Sequence, residues 1–438
     1  MKLSQTTSIN RTFFLAPLLC ISITACSGGG SASTNSDEDT PPPSKALSLS
    51  NFQNAATVIG QADFTGTSAN QGGSPDANTI DGPFASPGSN NGILYLPEYN
   101  NNRMLAYNNV PTTNNQVADF VLGQPNFTTV AAGTSDTAFD GPLGITAVNG
   151  KMYMPSYNDH RVLIWNNVPI SGGVAADITL GQLDLVSRIA NCTKTSLNNP
   201  AAISVTGNKV VVVDSGNNRV LIWNTIPTEN GTPADIILGQ QSFTNCARND
   251  SDDDGIADNA TASTLNNPFG VWTDGTRLVV LDTDNNRTLI WNNFPTGNFT
   301  PADIVLGQND FLNTAENDDD QDGITDGDGS IASARTLNGP LNGVYSNGEQ
   351  LFITDSENNR ILVWNTFPTD NFTPADTVLG QSDFANITIN DDDQDNVEDT
   401  NASARTLSYP SGIYQLNKQL IVADGDNNRY LIYNDNGQ

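Results

Sequence analysis

The sequence predicts an all-β fold: a six-bladed β-propeller of four-stranded antiparallel blades, its ring closed by the N-terminal strand. Three observations carry that prediction. An eleven-residue phrase recurs, as "DSGNNRVLIWN" from Asp214, "DTDNNRTLIWN" from Asp282, "DSENNRILVWN" from Asp355 and "DGDNNRYLIYN" from Asp424. A Gly-Gln pair beginning at Gly60, Gly123, Gly181, Gly239, Gly307 and Gly380 interleaves with six arginines: Arg103, Arg161, Arg219, Arg287, Arg360 and Arg429. The two series are offset at the ends. "TVIGQADF" from Thr57 reads as a fourth strand with no first three before it, while "SGIYQLNKQLIVADGDNNRYLIYN" supplies three strands of the last unit. A repeat of this period signals a closed or stacked architecture, and pairing the displaced strand with the last unit removes both sheet edges.

The chain has 438 residues, 48 of them acidic against 18 basic, for a formal net charge of -30. Such a field repels nucleic acid and anionic lipid, so both are poor partners. Residues 1–25 read as a signal peptide: Lys2 and Arg11 give the positive region, and "FFLAPLLCISITA" is an apolar run too short to span a bilayer as a mature helix. Its end, "ITAC", resembles the lipobox of bacterial lipoproteins. That resemblance implies cleavage before Cys26 and lipidation of its thiol, and Ser27 in place of Asp implies the outer membrane. Residues 26–46, "CSGGGSASTNSDEDTPPPSKA", form a Gly/Ser- then Pro-rich tether without core-forming residues. The propeller is expected over 47–438, as a monomer bound to the membrane through its anchor alone.

One full unit runs from Asn266 to Gln308, "NNPFGVWTDGTRLVVLDTDNNRTLIWNNFPTGNFTPADIVLGQ". Its four β-rich runs, "GVWT", "RLVVLD", "RTLIWN" and "ADIVLGQ", are separated by Gly, Asn, Asp and Pro, the residues that make turns. The pattern of Pro-x-Gly-Val, a strand ending in Asp, then x-x-Asn-Asn-Arg and an aliphatic strand resembles the NHL repeat, over residues 55–438. That family's six-bladed closure is what the resemblance implies. The spacings of the six arginines, 58, 58, 68, 73 and 69 residues, exceed a plain repeat of that kind, and the excess lies between each Gly-Gln and the next Pro.

The turn motif is expected to be scaffold. The position five before each Arg is Glu98, Ser156, Asp214, Asp282, Asp355 or Asp424, so an acid–arginine pair sits where the second strand turns into the third. Asn suits that turn because it tolerates left-handed backbone. Six equivalent copies around a ring do not make an active centre. His160, the one histidine, stands where the other turns have Asn and reads as a turn variant. The aromatic ending the third strand, Tyr107, Trp165, Trp223, Trp291, Trp364 or Tyr433, recurs once per blade and is expected to pack between blades.

Chemistry is expected in the insertions. "NDSDDDGIADNA" supplies Asp250, Asp252, Asp254, Gly255 and Asp258; "NDDDQDGITDGDG" supplies Asp318, Asp320, Asp322, Gly323 and Asp326; "NDDDQDNVEDTN" supplies Asp391, Asp393, Asp395, Asn396 and Asp399. Carboxylates at alternate residues followed by Gly resemble the D-x-D-x-D-G calcium loops of EF-hands and thrombospondin type 3 repeats. Calcium takes six to eight hard oxygens, which alternate residues of a tight turn can aim inward. An EF-hand ends its loop on Glu, where these have Thr261, Gly329 and Ala402, so no helix-loop-helix is expected. Loops leading into a first strand lie on the same face as the second-to-third turns, so the three should rim one sector at the entries to blades four, five and six. Cys192 and Cys246 lie in two neighbouring loops of that face, and export to an oxidising compartment predicts a disulfide.

Two functions fit these readings. One is a non-enzymatic cell-surface module that offers calcium-stabilised loops to a protein or glycan partner. The alternative is a calcium-dependent propeller enzyme of lactonase or hydrolase type, with a metal in the central channel. That alternative needs carboxylates or amides on the first strands, which read "GITAV", "AISVT", "GVWTD", "GVYSN" and "GIYQL". No Ser-His-Asp set, Cys-His pair or phosphate loop is present, and no catalytic residue is assigned.

Overall fold

The computed structural model describes residues 45–324 and 332–437. The signal peptide, Cys26 and nearly all of the tether therefore lie outside the described residues, as does Asp326. The described strands form six separate four-stranded antiparallel sheets. Blade III shows the plan: Pro200–Thr206, Lys209–Asp214, Arg219–Trp223 and Ile236–Leu238 pair in chain order. Blade IV repeats it with Gly270–Thr273, Leu278–Asp282, Arg287–Trp291 and Ile304–Leu306. In blade VI, Pro410–Leu416, Gln419–Asp424 and Arg429–Asn434 are completed by Thr57–Ile59, with Val58 opposite Leu431. Closure by the N-terminal strand is as expected. Helical structure among the described residues is limited to short 3-10 turns.

The central strands are apolar on both faces because each blade is sandwiched between two others. "VVVV" at 210–213 is wholly buried, for instance, Val211 and Val213 facing blade IV and Val210 and Val212 facing blade II. The core is thus six inter-blade clusters in place of one centre. The third-strand aromatics lie within them, Trp165, Trp223, Trp291 and Trp364 each donating the indole N–H to a carbonyl of the following loop.

The repeated turn is a buried rivet. Arg287 Nε donates to Asp282 Oδ2 at 2.7 Å, and both side chains are wholly buried. Its Nη2 donates to the Thr261 and Thr264 carbonyls of the loop entering the blade, and its Nη1 to the Phe311 carbonyl of the loop leaving it. Asp282 also accepts from the Asn266 backbone N–H at 2.7 Å and from Asn285 Nδ2 at 2.8 Å. One fork of donors therefore ties three segments together, which a guanidinium does and an ammonium does not. Blades III, V and VI repeat this with Arg219, Arg360 and Arg429.

Blade II departs in an instructive way. Ser156 cannot pair with Arg161, and the carboxylate comes from Asp159 three residues on, 3.1 Å from Arg161 Nη2 and accepting from Ser156 Oγ at 2.7 Å. The acid has moved along the turn while the buried charge stays paired, leaving only Arg161 Nε without a partner.

The last Asn of the turn closes the ring between blades. Asn218, Asn286, Asn359 and Asn428 are left-handed, with φ between 50° and 54°. Their side-chain oxygens accept from the backbone N–H of Asn267, Gly339, Tyr409 and Gly82 at the entry to the next blade. His160 takes the same backbone (φ 53°), and its Nδ1 accepts from the Asn199 N–H at 3.0 Å. Burial holds its imidazole below the usual histidine range, as a ring that must stay neutral to accept requires. His160 is a turn residue, as expected.

Candidate functional site

The three acidic insertions hang from this frame in the same way. Asn249, Asn317 and Asn390, each just before the first Asp, are left-handed and exchange side-chain amide hydrogen bonds with turn residues Asn285, Asn358 and Asn427. Those turn residues donate in turn to Asp282, Asp355 and Asp424, the rivet acids. The entries to blades four, five and six thus lie on the face of the second-to-third turns. Asn70 and Asn101 make the same exchange in blade I without an acidic loop, so the pair belongs to the repeat.

The first Asp of each loop is buried and organises the turn. Asp250 accepts from Asn245 Nδ2 at 2.6 Å and from the backbone N–H of Asp253 and Gly255 at 2.8 and 2.7 Å. Asp318 accepts from Asn313, Asp322 and Gly323, and Asp391 from Asn386, Asp395 and Asn396. The bend that follows needs left-handed backbone. Gly255 and Gly323 supply it at φ 84° and 81°, and Asn396 at 68°.

Carboxylate oxygens of Asp250, Asp252 and Asp254 come within 4.8 Å of one another, as do those of Asp318, Asp320 and Asp322. In the third loop the converging set is Asp391, Asp393 and Asp399, where the sequence pattern points to Asp395 as the third member. Asp395 Oδ1 accepts from the Val397 N–H at 2.9 Å. Asp258 lies outside the first set, its Oδ2 accepting from Ser251 N and Oγ at 3.0 and 2.7 Å. Sequence reading missed Asn245, Asn313 and Asn386, which brace each buried Asp; their recurrence five residues before it was the available signal.

The charges in these turns are strained by proximity. Asp254 beside Asp252 raises the Asp252 carboxyl above its ordinary value, and Asp395 does the same to Asp393. A raised folded-state pKa means that the ionised loop is disfavoured as pH rises through it, and a cation between the carboxylates relieves that repulsion. Neutral pH is therefore where metal has most to offer, and acid competes with it.

Cys192 and Cys246 form the expected disulfide, Cα–Cα 6.5 Å, clipping the loop entering blade III to the loop entering blade IV. Cys192 and Cys246 are 54 residues apart, a loop long enough for the cross-link to restrict the unfolded chain by about 4 kcal/mol in the chain-entropy picture.

Among the described residues, the three loop sets are the groups of three or more carboxylates that converge, and none of them lies on the first strands. The channel those strands enclose opens at the opposite face into a cavity of about 920 Å³.

No family model matches the sequence, and no curated protein matches it. Solved structures of similar shape include the computationally designed Ika8 protein, at TM-score 0.37 and 7% identity, covering 87% of this chain and 100% of that one. The WD40 β-propeller domain of Doa1 gives 0.40 and 10%, covering 90% and 97%. A catalytically inactive virginiamycin B lyase from Staphylococcus aureus with quinupristin gives 0.40 and 10%, covering 82% and 97%. The chain is an all-β six-bladed propeller, on the evidence of its own strand pairing.

Proposed function

We propose that the protein is a non-enzymatic, lipid-anchored propeller of the bacterial outer membrane, whose acidic loops bind calcium and present one face to a protein or glycan partner. The observation that carries this reading is the threefold recurrence of one loop: a buried Asp that turns the backbone, with two further carboxylates converging on it. Asp250, Asp252 and Asp254, Asp318, Asp320 and Asp322, and Asp391, Asp393 and Asp399 would hold the ions, with water and neighbouring oxygens completing each shell. Calcium there supplies charge neutralisation and loop rigidity. An affinity of roughly 0.1 to 1 mM suits loops with this many carboxylates and no closing Glu.

Calorimetric titration of chelator-stripped protein tests it directly. Saturable heat is expected, reduced by about a third in the triple variant Asp318→Asn, Asp320→Asn, Asp322→Asn if the sites are equivalent. No saturable heat up to several times that Kd range would sink the calcium reading. The channel-enzyme alternative requires carboxylates converging from the first strands, and among the described residues the converging sets lie in the loops.

The anchor is proposed from "ITAC". Cells fed a fatty-acid analogue should label the wild type and not Cys26→Ser; equal labelling of both would dismiss the anchor.

A further inference from the structure

We propose that the channel mouth on the face opposite the acidic loops is a binding site for a neutral saccharide. The site is independent of the calcium reading: it lies where first strands turn into second strands, at the other end of the channel from the loops.

The ring is asymmetric at one level of the first strands. Strand register places Gly88, Thr146, Ser204, Trp272, Tyr345 and Tyr414 at equivalent positions, opposite Tyr95, Tyr153, Val211, Val279, Phe352 and Ile421. All six line the cavity. Blades I–III thus offer a small, hydroxyl-bearing wall, and blades IV–VI an aromatic one. Tyr345 and Tyr414 meet edge to face with centroids 5.9 Å apart, and Tyr414 Oη lies 3.0 Å from Ser89 Oγ across the junction with blade I.

The aromatic wall is more than packing. Trp165, Trp223, Trp291 and Trp364 are at most 2% exposed, whereas Trp272 is only partly buried, with Phe367 and Arg277 against it. Trp272 stands on a first strand, not at the third-strand position of the other four, and it is the indole that stays partly open and lines the cavity.

Charge narrows the ligand. The cavity's charged lining residues are Lys45, Asp274 and Lys418. Asp274 is paired with Arg277 at 2.7 Å, Lys418 with Asp435 at 3.0 Å, and Lys45 is exposed. A cation entering the channel would lose water with no unpaired carboxylate to meet it, and an anion would find only the exposed Lys45, against a formal net charge of -30. Thr146 Oγ1 donates to the Ile203 carbonyl at 2.9 Å and Ser204 Oγ accepts from the Thr273 N–H at 3.2 Å, so Thr146 can still accept and Ser204 still donate, and a wholly apolar ligand would leave both capacities unmet. A sugar ring matches both walls, its C–H face on an aromatic and its hydroxyls on the opposite side, and the cavity is within the roughly 300 to 1,000 Å³ of small-molecule sites.

Trp272 is also the reporter. Titration of the mature protein with maltose, lactose, cellobiose and N,N′-diacetylchitobiose should shift the tryptophan emission saturably with at least one of them. The shift should persist in excess chelator, which separates this site from the calcium loops. Trp272→Phe should abolish the optical signal while calorimetry still detects binding. Tyr345→Ala should weaken binding about tenfold, the loss of one aromatic platform, with Thr146→Val as a second variant on the opposite wall should Tyr345→Ala fail to fold. No response to any of the four, equal binding of a uronic-acid disaccharide, or a response only to an apolar probe such as 1-naphthol would each overturn the proposal.

Discussion

Arg287→Ala is expected to destabilise the propeller by about 3–5 kcal/mol, the cost of leaving a buried charge unpaired. The substitution strands the wholly buried Asp282 carboxylate and removes the donors of the Thr261, Thr264 and Phe311 carbonyls. Pairing it with Asp282→Leu should recover a large part of the loss, because two apolar residues leave no orphan charge. Arg405→Ala is the control. Its pair with Asp392 is at 2.8 Å against 2.7 Å for Arg287 and Asp282, but its side chains are 39% and 40% exposed, and its loss should cost under about 1 kcal/mol. Denaturant unfolding of the four proteins checks this. An Arg287→Ala protein as stable as Arg405→Ala would mean that the rivet does not hold the blades.

Deleting residues 47–66 is expected to cost still more, because it opens the ring. The deletion removes Thr57–Ile59 from blade VI and with it the wholly buried Val58 and Ile59. It also takes the Phe64 carbonyl that Arg429 Nη1 uses, and Leu47, whose backbone N–H and carbonyl both bond Gln350. The third strand of the last blade, Arg429–Asn434, becomes an exposed edge, and two inter-blade clusters lose residues. The truncated protein should lose its single cooperative transition and associate at concentrations where the intact chain stays monomeric. A melt superimposable on that of the intact protein would show that closure is made elsewhere.

The fold was legible because it is spelled repeatedly. Short apolar β-rich runs separated by turn residues define four strands per unit, and the unpaired "TVIGQ" can be completed only by the last blade. The acid–Arg rivet was legible in five blades, with Glu98 in place of Asp in blade I, and hidden in blade II, where Ser156 stands in the acid's place and Asp159 supplies it. Spacing alone carries no record of a charge moved three residues along a turn. Two of the acidic sets follow the alternate-residue pattern, and the third exchanges Asp395 for Asp399. The hydrogen bonds that shape the turn are the same in all three loops, so nothing in the spacing marks that exchange. The aromatic half of the channel was overlooked for another reason. Trp272, Tyr345 and Tyr414 stand third in "GVWTD", "GVYSN" and "GIYQL", so their equivalence was visible, but singly each resembles core and the sequence does not show the cavity they line.

The central claim, that cations between the loop carboxylates brace the ring, is tested most directly by the melting temperature of the mature protein with calcium, with chelator, and with sodium at matched ionic strength. Asn249, Asn317 and Asn390 link each loop to the rivet acid of the blade it enters, so binding should stabilise the whole ring, not a loop alone. At about a hundredfold excess over Kd each site adds about 2.7 kcal/mol. The account predicts a single transition raised by calcium, not by sodium, and raised about a third less in the Asp318, Asp320, Asp322 triple variant. A transition that calcium and sodium move alike would contradict it.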